Sequence, residues 1–228
     1  MDFSFAVDLI SDLNLTADDE FDWDGKATSL FCVVAGNIST DLTVVESVLK
    51  NLSQYYRGVL YIDGALENTH IENSNIVIEK LRIICKPIPN VVYLHNHVII
   101  LNGVAFIGIN GWYNTDNNDA DTALKYFDED FTYLSRTVKS LQDHQDATRI
   151  VVVSSCLPSK QITFNDPTVQ VIDQMGLIMC LSQDIKHKID TWLFGSYKRM
   201  IDHTFNSRRY CNNPKMHNPY HPKKIPLA

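Results

Sequence analysis

The sequence lacks the marks of several protein classes. It has no CxxC pair. Its five cysteines (Cys32, Cys85, Cys156, Cys180 and Cys211) are scattered and odd in number, which argues against a disulfide framework and for reduced, buried thiols. No apolar run approaches the roughly 18 to 20 residues that span a bilayer, so no membrane association is expected. The N-terminus has no basic start followed by an apolar stretch, and no signal peptide is expected. An excess of positive charge is also missing. Twenty Lys and Arg stand against 27 Asp and Glu, a net charge of −7. A broad nucleic-acid-binding face is therefore disfavoured, while a local basic patch stays open. No repeat, low-complexity linker or sharp change of composition divides the 228 residues, which read as a single domain, 1–228.

Compact metal motifs are missing too. The eight histidines form no HExxH. His95 and His97 are expected to share one side of a strand, where surface positions are the simpler reading. His203, His217 and His221 fall together in the C-terminal part without a ligand spacing. Asp116 to Asp121 looks like a calcium loop but has no Gly at its sixth position and Phe127 at its twelfth, so it reads as a solvated loop. Cys156 has no identifiable base beside it and reads as structural.

What the chain does have is a series of short apolar runs rich in β-branched residues. They are 5–10, 30–36, 58–64, 90–94, 97–103, 104–111, 150–155 and 191–196. Continuous apolar runs point to strands buried on both faces. Helical periodicity fills several gaps: Asp41 to Tyr55, with Thr40 or Asp41 as N-cap, Asp130 to Leu141, and Pro167 to Leu181. Asn102-Gly103 between two runs predicts a hairpin. The tail from about 210, rich in Pro, Asn, His and Lys, is expected to be irregular. The pattern implies a layered α/β domain with a site at the carboxyl ends of its strands.

The residues at those strand ends carry a resemblance. Asp12-Leu13-Asn14, Gly36-Asn37, Gly64-Ala65-Leu66-Glu67, Ser154-Ser155 and Gly195-Ser196-Tyr197-Lys198 fall in the order of five blocks. Those blocks are D-x-H, G-D, G-N-H-[DE], T-H or G-H, and G-H-x-H. The chain thus resembles the calcineurin-like metallophosphoesterases over nearly its whole length. "FIGINGWY" and "NNPK" resemble landmarks of small phage or bacterial members. The resemblance implies a four-layer α/β sandwich, two packed mixed β-sheets flanked by helices.

It also implies a site with two divalent ions sharing a carboxylate, which polarise a phosphate and supply hydroxide. This sequence departs from that site almost everywhere. Asp12 is kept. Asn14, Asn37, Ala65, Ser155, Ser196 and Lys198 stand at the other six ligand positions, and Leu66 stands where the catalytic His is expected. Neutral amides and hydroxyls are poor ligands, and a protonated Lys is none. The expectation is a pseudoenzyme with no metal or other cofactor. An Asp12–Lys198 ion pair would replace the lost cation.

The implied role is a structural or protein-binding module, as a virion component or a partner-binding protein of a phage, in the host cytoplasm or the virion. The partner would be a viral or host protein or a second copy. Two alternatives stay open. One is a small phosphorylated ligand held in the vacated cleft by Asn37, Ser196, Lys198 and Arg199. The other is a residual phosphoesterase with a non-standard metal site near Asp12. The C-terminal cations and the "GWYN" and "NPYHP" segments are further candidates for a contact surface.

Overall fold

The computed structural model describes residues 5–69, 74–111, 120–164, 166, 189–217 and 219–227. The apolar runs form the expected strands. Sheet one contains β1 (Ala6–Ile10), β2 (Phe31–Ala35), β3 (Gly58–Ile62) and β4 (Val91–Tyr93), paired in parallel. Sheet two begins with β5 (His97–Leu101) and β6 (Val104–Ile109). The turn between them places Asn102 and Gly103 both at positive φ, the geometry that Asn-Gly favours in a two-residue hairpin. Parallel to β6 run β7 (Arg149–Ser154) and β8 (Ile189–Phe194).

Three short strands lie where the tail was expected to be irregular or where no strand was expected. β9 (Asp202–Phe205) and β10 (Arg208–Cys211) extend sheet two, in the order β5-β6-β7-β8-β10-β9. β11 (Lys223–Pro226) pairs antiparallel with β1 and forms the edge of sheet one. Their concealment has a physical cause. An edge strand tolerates Lys and Pro, and Ile225 is the one buried side chain of β11, so no apolar run betrays it.

Helix α1 (Leu42–Tyr55) is capped by Asp41, whose carboxylate accepts the Thr43 N–H at 2.8 Å. Its buried Val45, Val48, Leu49 and Leu52 pack with α2 (Ser74–Cys85) on the outer face of sheet one. Helix α3 (Ala120–Ser140) covers sheet two through Leu134 and Val138. Between the sheets lies an all-apolar layer that includes Val7, Leu9, Val33, Leu60, Phe106, Val151, Val153, Leu193 and Ile225. The order of layers is helix, sheet, sheet, helix, as the resemblance implies. Among the described residues no helix is long and apolar enough to cross a membrane.

His95 and His97 do not sit side by side on a strand. His95 is buried in the turn between β4 and β5, and His97 is exposed at the start of β5. Cys32, Cys85, Cys156 and Cys211 are buried and not in disulfide bonds. The expected helix over 167–181, Cys180, His70, His187, residues 116–119 of the acidic loop and residues 112–114 lie outside the described residues.

Candidate functional site

The carboxyl ends of β1, β2, β3, β7 and β8 meet at one point. The Asp12 N–H donates to the Gly36 carbonyl at 3.1 Å, and the Asn14 N–H to that of Asn37 at 3.0 Å. The Gly195 N–H reaches the Ser154 carbonyl at 3.2 Å. Contact is so close that side chains at two of these ends would collide. A Cβ at Gly64 would overlap the Asn37 amide, and one at Gly195 would overlap the Ala35 carbonyl oxygen. Asp12, Asn14, Asn37 and Ser196 all adopt left-handed backbone, with φ between 49° and 59°. Non-glycine residues held this way cluster at functional sites.

Asn37 is the hub. Its amide nitrogen donates to Asp12 Oδ1 and to Ser196 Oγ, each at 2.8 Å, and its oxygen accepts the Leu66 N–H at 3.1 Å. The Ser196 N–H also donates to Asp12 Oδ1, at 2.7 Å. Two N–H donors therefore converge on the retained carboxylate, where a cation would otherwise balance it. Asp12 Oδ2 is buried without a hydrogen-bond partner. Burial pushes the Asp12 pKa from 3.8 up to about 6, against the opposing bonds from Asn37, Ser196 and Ser11.

The other expected positions are brought to the same place but engage differently. Asn14 is exposed and turns its amide back onto the Asp12 carbonyl at 2.7 Å. Ser155 is fully buried and donates to Asn110 Oδ1 at 2.8 Å. Ala65 opens the turn after β3, its carbonyl accepting the Asn68 N–H at 3.2 Å. Leu66 faces a cleft of about 510 Å³ shared with Asp12, Asn37, Ser196, Lys198, Lys215 and His217. Among the described residues, no three His, Cys, Asp or Glu side chains are grouped to hold a metal ion.

The expected Asp12–Lys198 ion pair does not form. Asp12 is bonded to Asn37 and Ser196, while Lys198 is exposed along the cleft and does not contribute to the Asp12 shift. A backbone N–H and an amide already fixed in the fold satisfy Oδ1 without ordering a long Lys side chain. Lys198→Ala is accordingly expected to change stability by less than about 0.5 kcal/mol in urea denaturation; a loss above about 2 kcal/mol would restore the ion pair. Arg199 turns from the cleft to Asp166, 3.5 Å away.

Three buried carboxylates beside the site, Glu67, Asp63 and Asp130, were not singled out from sequence. Glu67, the last residue of the third block, accepts N–H bonds from Ile38 at 2.7 Å, Gly64 at 2.7 Å and Asn37 at 3.2 Å. It pins the β2 and β3 loops together, and burial pushes its pKa to about 7. Its signal lay in the quoted [DE] position. Below it, Asp63 receives bonds from Asn68, Tyr93 and Asn110, with His95 Nδ1 at 3.6 Å. Burial opposes the Asp63 charge, but His95 and these donors outweigh it and hold its pKa below the usual value. Asp130 on α3 binds the Asn110 and Gly111 N–H groups, at 3.0 and 2.8 Å. This network ties the two sheets together under the cleft.

No family model matches the chain, and no curated protein matches it. Solved structures do. Phosphopantetheinyl hydrolase (PptH) from Mycobacterium tuberculosis superposes with a TM-score of 0.68 and 11% identity, over 97% of this chain and 96% of its own. GAP50, the anchor in the inner membrane complex of Plasmodium, gives 0.62 and 13%, over 97% and 75%. A putative 5'-nucleotidase from Staphylococcus aureus, in complex with alpha-ketoglutarate, gives 0.53 and 13%, over 92% of this chain and 48% of that longer one. At such identities the likeness concerns the backbone alone. Together with the two packed mixed sheets and their flanking helices, it establishes that the chain has the calcineurin-like metallophosphoesterase fold.

Proposed function

We propose that this chain is a catalytically inactive member of the fold that serves as a structural or protein-binding module. The observation that carries the reading is Asn37. Its amide stands where the resemblance implies a carboxylate shared by two ions, and it donates to Asp12 instead of joining it as a second anion. A neutral donor there answers the electrostatic need that metal ions meet in a hydrolase. The fold is compatible with such a role, since GAP50 is described as an anchor. A phage virion component, or a phage protein that binds a viral or host partner, is the setting we propose. It rests on the resemblance of segments 106–113 and 212–215 to landmarks of small phage or bacterial members.

Restoring the carboxylate tests this. Asn37→Asp would set two carboxylates about as close as the present 2.8 Å contact. It is expected to destabilise the protein by about 2–4 kcal/mol at pH 8, with little effect near pH 4, where one of the pair is protonated. Adding Asp12→Asn should recover most of the loss. If Asn37→Asp is neutral at pH 8, or manganese stabilises the unaltered protein, the inactive reading fails.

The cleft supports a second reading, a small phosphorylated ligand held without metal. Lys198, Ser196 and Asn37 line it, with Lys215 and His217. Arg199, expected to join them, points instead to Asp166. Saturable binding of such a ligand in the presence of a chelator would favour this reading over the module.

A further inference from the structure

We infer that the rim of this cleft is a docking surface for an acidic, apolar segment of a partner protein; the inference rests on the protein-binding reading above. The rim is built from two stretches. Lys198, which lines the cleft, leads after β8 to Arg199 and Met200 beside it, and Lys215, Met216 and His217 line it after β10. Asn212 stitches the stretches together. Its side chain donates to the carbonyls of Tyr197 (3.0 Å) and Arg199 (2.9 Å) and accepts the Ile201 N–H (2.5 Å), while its own N–H donates to the Ile201 carbonyl (3.1 Å). The Lys215 N–H is anchored to the Ser11 carbonyl at 3.3 Å. The surface is therefore held in shape before any partner arrives, which lowers the entropic cost of binding.

Its charge runs against that of the whole chain. The chain carries −7, yet among the described cleft-lining residues Asp12 is the sole acid, and its carboxylate is turned inward to the Asn37 and Ser196 donors. Among the described residues neither Lys198 nor Lys215 forms an ion pair, and Asp19 acts on Lys215 only at longer range. Arg199 meets Asp166 at 3.5 Å while 75% exposed, a contact worth little in water. Lys198 and Lys215 are therefore the cations available to take carboxylates from outside.

Met216 lines the cleft between the lysines, and further exposed apolar side chains lie beside it in sequence or fold. Met200 is 58% exposed and Met216 is 50% exposed. Phe164 is 86% exposed, stands beside His203, and lies two residues before the Asp166 that Tyr197 and Arg199 hold. Exposed methionines adapt to varied apolar side chains, and Met and Arg are enriched at protein interfaces. Lysines around methionines fit a segment that alternates carboxylates with leucine-like side chains. A basic partner would be repelled.

The test uses the full chain labelled with carbon-13 at its methionine methyls, of which there are five. The probe is the capped peptide ELELEL, with QLQLQL and a six-residue oligothymidylate as comparisons. The expected result is a saturable shift of the Met200 and Met216 signals with ELELEL, weakening with salt. Lys198→Glu/Lys215→Glu should raise the dissociation constant at least tenfold and leave the thermal midpoint within a few degrees. No saturable shift, an equal response to QLQLQL, a stronger response to the oligothymidylate, or an unaffected charge-reversed variant would each overturn the inference. So would the same shifts appearing on raising protein concentration alone, which would make a second copy the occupant. Metal uptake is read separately, so a metal-free chain that ignores ELELEL removes this inference and leaves catalytic inactivity standing.

Discussion

Replacing Glu67 with Ala is expected to lower stability by about 3–5 kcal/mol, among the largest effects of any single polar substitution in the site. The carboxylate accepts three backbone N–H groups, from Asn37, Ile38 and Gly64, and is 2% exposed. Truncation leaves all three donors buried without partners and opens a hole beside them. Each orphaned donor costs about 1–3 kcal/mol before relaxation or an entering water reduces the sum. Glu67→Gln should fall between, because it places an amide NH2 against N–H donors. Urea denaturation at pH 8 measures both, and a loss under about 1 kcal/mol for Glu67→Ala would mean that the β2 and β3 loops do not depend on this residue. The side chain shapes the site by holding the β2 and β3 loops together.

Asp12→Asn is expected to stabilise the protein at pH 8 and to be nearly neutral at pH 4. The sign follows from the shift of its pKa from 3.8 to about 6. A carboxyl whose pKa is raised on folding binds more protons in the folded chain than in the unfolded one between those values. Stability therefore falls as pH rises through that window, and the loss is complete above it. A shift of roughly two pH units corresponds to at most about 3 kcal/mol, so a gain of about 1–3 kcal/mol is expected at pH 8. Asparagine still offers an oxygen to the Asn37 amide and the Ser196 N–H. Glu67 and Asp130, raised to about 7 and about 6 by burial, add slopes of the same sign. Those slopes persist in the variant, so the difference between the two stability–pH curves isolates Asp12. A carboxylate bound to a cation would behave oppositely: Asp12→Asn would cost most at pH 8.

The strands that build the core were legible because burial on both faces writes an uninterrupted apolar run, as in Phe31–Ala35 and in residues 150–153 of β7. The hairpin was legible because Asn102 and Gly103 tolerate positive φ. β11 was hidden because an edge strand with a single buried side chain has no such signature. At the site, residue types marked which positions gather at the strand ends, but not how those residues bond to one another. Sequence proposed Lys198 as the new countercharge because the resemblance places this cation at a ligand position near Asp12. The fold assigns that place to an amide and a backbone N–H, which depend on left-handed turns at Asn37 and Ser196 that residue identity does not reveal. The network of Asp63, His95, Asn110 and Asp130 was hidden for a related reason. Its members come from β3, the β4–β5 turn, the end of β6 and α3, and meet only when the two sheets pack.

The most direct measurement is metal content. The purified protein would be incubated with excess manganese and zinc at pH 8, desalted, and assayed by elemental mass spectrometry. With Asn37 bonded to Asp12 and no ligand cluster among the described residues, the account predicts well under one ion per chain. Two ions per chain, lost together in Asp12→Asn, would contradict it and return the protein to the hydrolases.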